Sequence, residues 1–324
     1  MELINVIQPG HIFTVREDDL LCLLKDSISA LVKMHHSKID TVLDCELFSR
    51  IGSIYSFLSG AKIRVGFHPH TQEGLYRGNF INRPVLYNPY QHISEQFVSL
   101  VEAIESLGVP TVKRHVPKKR ITLPLLNVKE EEIRDYLKKV ETDFPQKKKK
   151  ELVLIYPSGG LLPIRAWPLK NYSLIAKDLV CNGYIVGIIG MKEDRRFADV
   201  IMACCRHSDC IDLTGYTKTV KELIILFHIA ILLIANDGGP GHFASLTPIP
   251  SIVFFGPETP ALYGMLDNKA VEFYMPLSCS PCLTAYNHRN SPCDGDNVCL
   301  KSIDPGEVLV KAYEILNKPK SYKE

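Results

Sequence analysis

Residues 231–255 read ILLIANDGGPGHFASLTPIPSIVFF, two apolar runs separated by an acidic, glycine-rich turn and a stretch of small residues. The runs Ile231 to Ala235 and Ser251 to Phe255 have the length and near-continuous apolar character of strands covered on both faces, the pattern of a parallel sheet. Between them Asp237 ends the first strand, Gly238 and Gly239 follow, and Pro240 opens a helix with His242 in its first turn. Proline is preorganised for a helix start, glycine lets backbone N–H groups approach a ligand, and a helix N-terminus carries partial positive charge. The loop Asn236 to His242 therefore reads as an anion site, with Asp237 accepting hydrogen bonds from hydroxyls and His242 donating to phosphate. A tight turn with a helix-capping aspartate is the structural alternative.

The same alternation runs outward along the chain. Apolar runs of five to seven residues are each followed by an amphipathic stretch of ten or more, as in a parallel sheet with intervening helices. Strands are expected at Ile12 to Val15, Thr41 to Leu43, Ile63 to Phe67, Leu152 to Tyr156, Ile185 to Ile189, Ile231 to Ala235 and Ser251 to Phe255. Helices lie between them, clearest at Asp18 to Met34, where Leu20, Leu21, Leu24, Ile28 and Leu31 share a face, and at Lys221 to Ile229. A length of 324 residues suits two domains better than one. The charged helix VKEEEIRDYLKKV, Phe144-Pro145-Gln146 and Lys147 to Lys150 precede the strand LVLIY, which sets the expected domains at 1–146 and 151–324.

Composition narrows the class. With 46% hydrophobic and 23% charged residues the chain is an ordinary globular protein. A formal charge of +2 gives no general reason to bind nucleic acid. The run Leu223 to Ala235 is too short to span a bilayer, and MELINVIQPGHIF lacks the basic start and apolar stretch of a secretory signal; a cytoplasmic location is expected. Lys147 to Lys150 reads first as a solvated linker and second as an attractor of anionic phospholipid headgroups, at about 1 kcal/mol per basic residue, which would place the protein peripherally on the inner membrane. The same pair of readings applies to Lys113, Arg114, Lys118, Lys119 and Arg120.

Two further strand ends carry polar residues. In IYPSGGLLPIRAWPLKNY a strand enters a loop containing Ser158, then Arg165-Ala166-Trp167-Pro168. Arg165 could neutralise a leaving diphosphate, as an enzyme lacking a metal must; a surface charge is its ordinary reading. In IVGIIGMKEDRRF a strand ends at Gly190, and Glu193 or Asp194 stands where a ribose-binding acid would, a helix cap explaining either equally well. No GxGxxG fingerprint follows any expected strand, which disfavours an epimerase or dehydrogenase.

Together these residues resemble the signature of family-nine glycosyltransferases, the heptosyltransferases of lipopolysaccharide core synthesis and their relatives. NDGGPGHFASLTPIPSIVFFGPETP is similar to that signature, and Arg165-Ala166-Trp167-Pro168 to the family's basic residue and Trp-Pro pair. The resemblance covers essentially all of 151–316. It implies the α/β GT-B architecture, two Rossmann-like domains with parallel sheets facing a cleft, and inverting transfer from a nucleoside-diphosphate sugar, commonly ADP-heptose, to a glycolipid or glycan acceptor, with no cofactor required for catalysis. It also implies that Asp237, Gly238, Gly239 and His242 contact the donor, that Arg165 replaces the usual phosphate-binding lysine, and that Glu193 or Asp194 binds ribose. Gly238 stands where many members have Thr or Ser, so a hydroxyl contact is missing and the donor's identity is less fixed.

In the first half, KIDTVLDCELFSRIGSIYSFLSGAKIRVGF (38–67) is similar to the middle of the family's N-terminal domain. The family's opening strand and Gly-Asp loop, whose Asp is its base, have no counterpart; a start at an internal Met is the expected reason, a natural short form the alternative. In a short form Asp44 and Glu46 are the candidate bases, a strand-end cap and a salt-bridge partner being their structural readings. The loop His68 to His92 is expected to meet the acceptor, with Arg77, beside Tyr76, facing its phosphate or carboxylate; an ordinary surface loop is the alternative. An enzyme without a base would be a silent nucleotide-sugar-binding protein.

Four of the ten cysteines cluster: Cys279, Cys282, Cys293 and Cys299. Their spacing is compatible with a structural zinc site, with reduced structural thiols or with disulfides. His288 is a poorer ligand candidate.

Overall fold

The computed structural model describes residues 7–68, 77–106, 112–113, 115, 123–126, 128–267, 269–287 and 289–317. Tyr76, His288 and all of the second basic cluster except Lys113 lie outside them. The chain forms two compact units, 1–121 with 284–289, and 122–283 with 290–324.

The first unit contains helix α1 (Leu20–His36), strand β1 (Thr41–Asp44), α2 (Arg50–Leu58), β2 (Ile63–Phe67), β3 (Arg83–Val85) and α3 (Ile93–Glu102). Its three strands form a parallel sheet in the order β1-β2-β3. Helix α1 starts where the Asp19 carboxylate accepts from the Cys22 N–H, the usual Asp cap on an otherwise unsatisfied donor. The strand expected at Ile12 to Val15 is absent: a 3-10 turn at Pro9–His11 runs into extended chain that pairs with no strand among the described residues.

The second unit runs α4 (Glu130–Asp143), β4 (Leu152–Tyr156), α5 (Leu169–Cys181), β5 (Ile185–Gly190), α6 (Arg195–Cys205), β6 (Cys210–Thr214), α7 (Val220–Ile229), β7 (Leu232–Asn236), α8 (Gly239–Ala244), β8 (Ser251–Phe255), α9 (Pro260–Tyr263), β9 (Ala270–Tyr274), α10 (Val298–Lys301) and α11 (Pro305–Leu316). Its sheet is parallel throughout, in the order β6-β5-β4-β7-β8-β9. Alternate residues of the central strands feed two cores. Val153, Ile155, Ile234 and Phe254 meet Trp167, Tyr172 and Ile175 on one face. Leu152, Leu154, Leu233 and Ala235 meet Tyr136, Val140 and Leu226 on the other. Burial on both faces is why these strands read as unbroken apolar runs.

Helix α4 corrects the expected boundary. Its Tyr136 and Val140 pack into the second core, and Lys221 pairs with Glu132 at 2.5 Å, so the helix assigned to domain 1–146 belongs to the second unit.

Candidate functional site

The strand order of the larger sheet reverses between β4 and β7: the chain moves outward through β5 and β6, then returns to the other side of β4. Ligands of open α/β sheets lie beyond the carboxyl ends of the strands at such a switch point. One residue holds the loops there. Asn236, the last residue of β7, is fully buried; its Oδ1 accepts from the Trp167 N–H at 2.9 Å and the Tyr172 hydroxyl at 2.8 Å, while its Nδ2 donates to the carbonyls of Pro157 at 3.0 Å and Ser158 at 3.1 Å. All four valences of the amide are used, tying the loop after β4, the Arg-Ala-Trp-Pro segment and the end of β7 into one frame. Trp167 anchors that frame by stacking on Phe254, centroids 4.4 Å apart, and donating from Nε1 to the Ile303 carbonyl at 3.3 Å.

Three expected residues converge on this frame. The Asp237 carboxylate, 5% exposed, lies 3.8 Å from Nε of Arg165 and 3.8 Å from Nε2 of His242. Both separations exceed a hydrogen bond, so the three groups are neighbours held by charge rather than by a direct bond. Nη2 of Arg165 makes a 2.5 Å ion pair with Glu258, 3% exposed, in the loop after β8. Nε of Arg165 is buried with no hydrogen-bond acceptor. One guanidinium thus faces two carboxylates, and with His242 neutral the group carries a net charge of −1 when all are ionised.

Gly238 and Gly239 follow. A Cβ added at Gly238 would come no nearer than 3.8 Å to Tyr156, and at Gly239 no nearer than 3.6 Å to Phe243. Neither has the positive φ that favours glycine, so the fold does not demand glycine at either position, and a Cβ at either would make only ordinary contacts. Helix α8 is six residues long, with Pro240 lacking an N–H, so its local amides outweigh any macrodipole.

Of the remaining donor candidates, Ser158 and Asp194 line one cavity of about 510 Å³ with Gly160, Arg196 and Phe197. Ser158 is buried, its Oγ accepting from the Gly160 N–H at 3.1 Å. Asp194 accepts from the Met191 N–H at 2.8 Å, the cap-like role of its structural reading, while Glu193 is exposed. Burial pushes the nearby Tyr156 hydroxyl up, with Ser158 pulling the other way.

The first-unit candidates are placed differently. Arg77 is buried, donating from Nε to the Ser49 carbonyl at 2.9 Å, from Nη1 to the carbonyls of Phe67 at 3.0 Å and Glu46 at 3.3 Å, and from Nη2 to the Asp44 carboxylate. The expectation that it faces an acceptor is corrected: its donors are turned inward. Asp44 is corrected with it. Burial pushes its carboxyl up against the opposing pull of Arg77, but the same guanidinium and the Glu46 N–H at 3.0 Å occupy its oxygens, which removes it as a free base. The Glu46 side chain is exposed.

Cys279, Cys282, Cys293 and Cys299 line one pocket of about 290 Å³. Among the described residues no three metal-binding side chains are placed to share an ion, so the zinc expectation is not supported. Cys282 Sγ lies 3.1 Å from the Ser291 hydroxyl, Cys293 Sγ is directed to the side-chain oxygens of Asp294 at 3.8 Å and Asn297 at 3.7 Å, and Cys299 is buried. All ten cysteines are free.

Glu258 has no place in the sequence reading, and Asn236 enters it only as the first residue of its loop, without the framing role its side chain has here. Asn236 sat next to Asp237 at the end of an apolar strand, and Glu258 followed the next strand in Phe-Gly-Pro-Glu-Thr-Pro; their strand-end positions were the available signal.

Residues 40–291 match the model of glycosyltransferase family 9 (heptosyltransferase). Lipopolysaccharide heptosyltransferase 2 of Salmonella typhimurium is 25% identical over 182 residues, 55% of this chain and 50% of that protein. The chain spans about half the length of the curated relatives it matches. Among solved structures, E. coli ADP-heptose lps heptosyltransferase II aligns with a TM-score of 0.69 at 20% identity, covering 90% of this chain and 81% of the other. E. coli heptosyltransferase WaaC with ADP aligns with a TM-score of 0.59 at 15% identity, covering 90% and 78%. These likenesses show the fold, an α/β chain with two parallel sheets.

Proposed function

The chain belongs to glycosyltransferase family 9, and from that premise we propose that it transfers a heptose-class sugar from a nucleoside-diphosphate donor, ADP-heptose first, to a lipopolysaccharide or other surface-glycan acceptor. The observation that carries the reading is the convergence of Arg165 and His242 on Asp237 at the switch point of the larger sheet. In this reading Asp237 accepts from donor-sugar hydroxyls, and His242 and the local amides of the Gly-Gly turn meet phosphate. Arg165 neutralises the diphosphate as it leaves, charge stabilisation of the kind a preorganised site supplies without a metal. Attack by the acceptor hydroxyl on the face opposite the leaving group inverts the anomeric centre. Because Glu258 already pairs with the guanidinium, the diphosphate takes Arg165 by displacing that carboxylate. Ser158 and the acids Glu193 and Asp194 would frame the nucleoside side, with Glu193 the more accessible of the two.

The site of action is proposed as the cytoplasmic side, peripheral to the inner membrane. Lys148 and Lys149 are the exposed members of the lysine run that would meet anionic headgroups, Lys150 being paired with Asp209.

A second reading, nucleotide-sugar binding without transfer, is favoured by one observation: Asp44 is bound to Arg77 and so unavailable as a base. Release of ADP from ADP-heptose in the presence of a lipopolysaccharide acceptor separates the two. Transfer is expected for the wild-type protein and a loss of at least about a hundredfold for Asp237→Ala, with its thermal unfolding little changed. Full activity in Asp237→Ala would reject the donor role, and donor binding without turnover in the wild type would establish the silent form.

A further inference from the structure

Tyr156 is the last residue of β4, at the switch point where the donor loops meet. In the parallel register it lies beside Ala235 of β7, the residue before Asn236 and Asp237, so the strands on either side of the switch point end together. Strand alternation sends its side chain to the face of Leu152 and Leu154, and the ring is buried there.

The phenol bridges two glycine turns. A Cβ added at Gly160, in the loop after β4, would stand 3.5 Å from the Tyr156 hydroxyl oxygen, and one added at Gly238, in the turn after β7, would stand 3.8 Å from its Cε1. The hydroxyl thus lies against one turn and the ring edge against the other. A ligand that touches the backbone of both turns comes within reach of the hydroxyl.

The hydrogen bonds of that hydroxyl are incomplete. Ser158 Oγ accepts from the Gly160 N–H at 3.1 Å and spends its own hydrogen on the phenol oxygen: its bond favours the ionised phenol, as a donor does and an acceptor does not. No described residue then supplies an acceptor for the phenol's own hydrogen. Burial, aided by the charge of Asp194, holds the phenol above its usual range against Ser158 and Arg165, so at neutral pH it is an uncharged O–H donor that does not repel an anion. The influence of Arg165 also places the hydroxyl in the field of the guanidinium that the donor reading pairs with diphosphate.

We propose that Tyr156 is a donor-binding residue, its hydroxyl donating to the diphosphate of the nucleoside-diphosphate sugar while Ser158 holds the phenol oxygen in place; the assignment rests on the donor reading of the Arg165 site. Calorimetric titration with ADP of the wild-type protein and of Tyr156→Phe, which keeps the ring and its packing, tests it. Binding about tenfold weaker in Tyr156→Phe is expected, the loss of one hydrogen bond to a charged acceptor, with the temperature of unfolding nearly unchanged. In a crystal structure of the wild-type protein with ADP the hydroxyl is expected about 3 Å from a phosphate oxygen, a measurement that decides the matter even if Tyr156→Phe does not fold. Equal ADP affinity in the two folded proteins, or a hydroxyl more than about 4 Å from every phosphate oxygen, would overturn the assignment and leave the donor reading standing. A folded wild-type protein that binds no ADP would overturn both.

Discussion

Arg77 and Arg165 are both largely withdrawn from water and both paired with a buried carboxylate, yet their surroundings differ in a way that separates scaffold from site. Arg77 donates to three backbone carbonyls as well as to Asp44; its charge and its geometry are satisfied by the chain itself. Arg165 faces Glu258 and Asp237, with Nε lacking an acceptor and 16% of its side chain exposed. A buried charge with four of its five donors taken by its own chain has little to offer a ligand. One held by side-chain carboxylates beyond the strand ends of the sheet is, on the proposed function, the one that exchanges them for a diphosphate, which accepts the same bonds with more charge.

The largest expected effect is on stability. Arg77→Ala leaves Asp44 buried without its cation, so urea unfolding should show a loss of about 3 to 5 kcal/mol, as for other buried pairs broken from one side. A loss below about 1 kcal/mol would end the distinction between the two arginines. Next is the donor affinity of Arg165→Lys. A point charge replaces a planar fork, and calorimetry should read ADP binding about tenfold weaker with thermal unfolding nearly unchanged; equal affinity would mean that the fork geometry is unused. The smallest effect is that of Glu258→Gln. Removing the competing carboxylate should tighten ADP binding roughly threefold. Weaker binding instead would make Glu258 a positioning residue for the guanidinium rather than its resting partner.

The same contrast explains what could be read from the chain in advance. The central strands β4, β5, β7 and β8 were legible because both faces are buried, so nearly every residue is apolar. The strands missed, β3, β6 and β9, are all at sheet edges, where Pro84, Asp212 and Glu272 interrupt the apolar pattern and proline is tolerated. Asp237, Arg165 and His242 were legible because chemistry-bearing side chains at strand ends stand out against apolar runs. Arg77 misled for the opposite reason: a lone arginine in a polar loop looks exposed, and only the fold shows that Ser49, Phe67 and Asp44, distant in sequence, surround it.

The central claim is that the group formed by Asp237, Arg165 and His242 holds a diphosphate. Isothermal titration with ADP, comparing the wild-type protein with Arg165→Ala, tests it most directly. Saturable one-to-one binding that weakens by at least about a hundredfold in Arg165→Ala is the predicted result. Equal affinity in the two proteins, or no binding by the folded wild type, would contradict it.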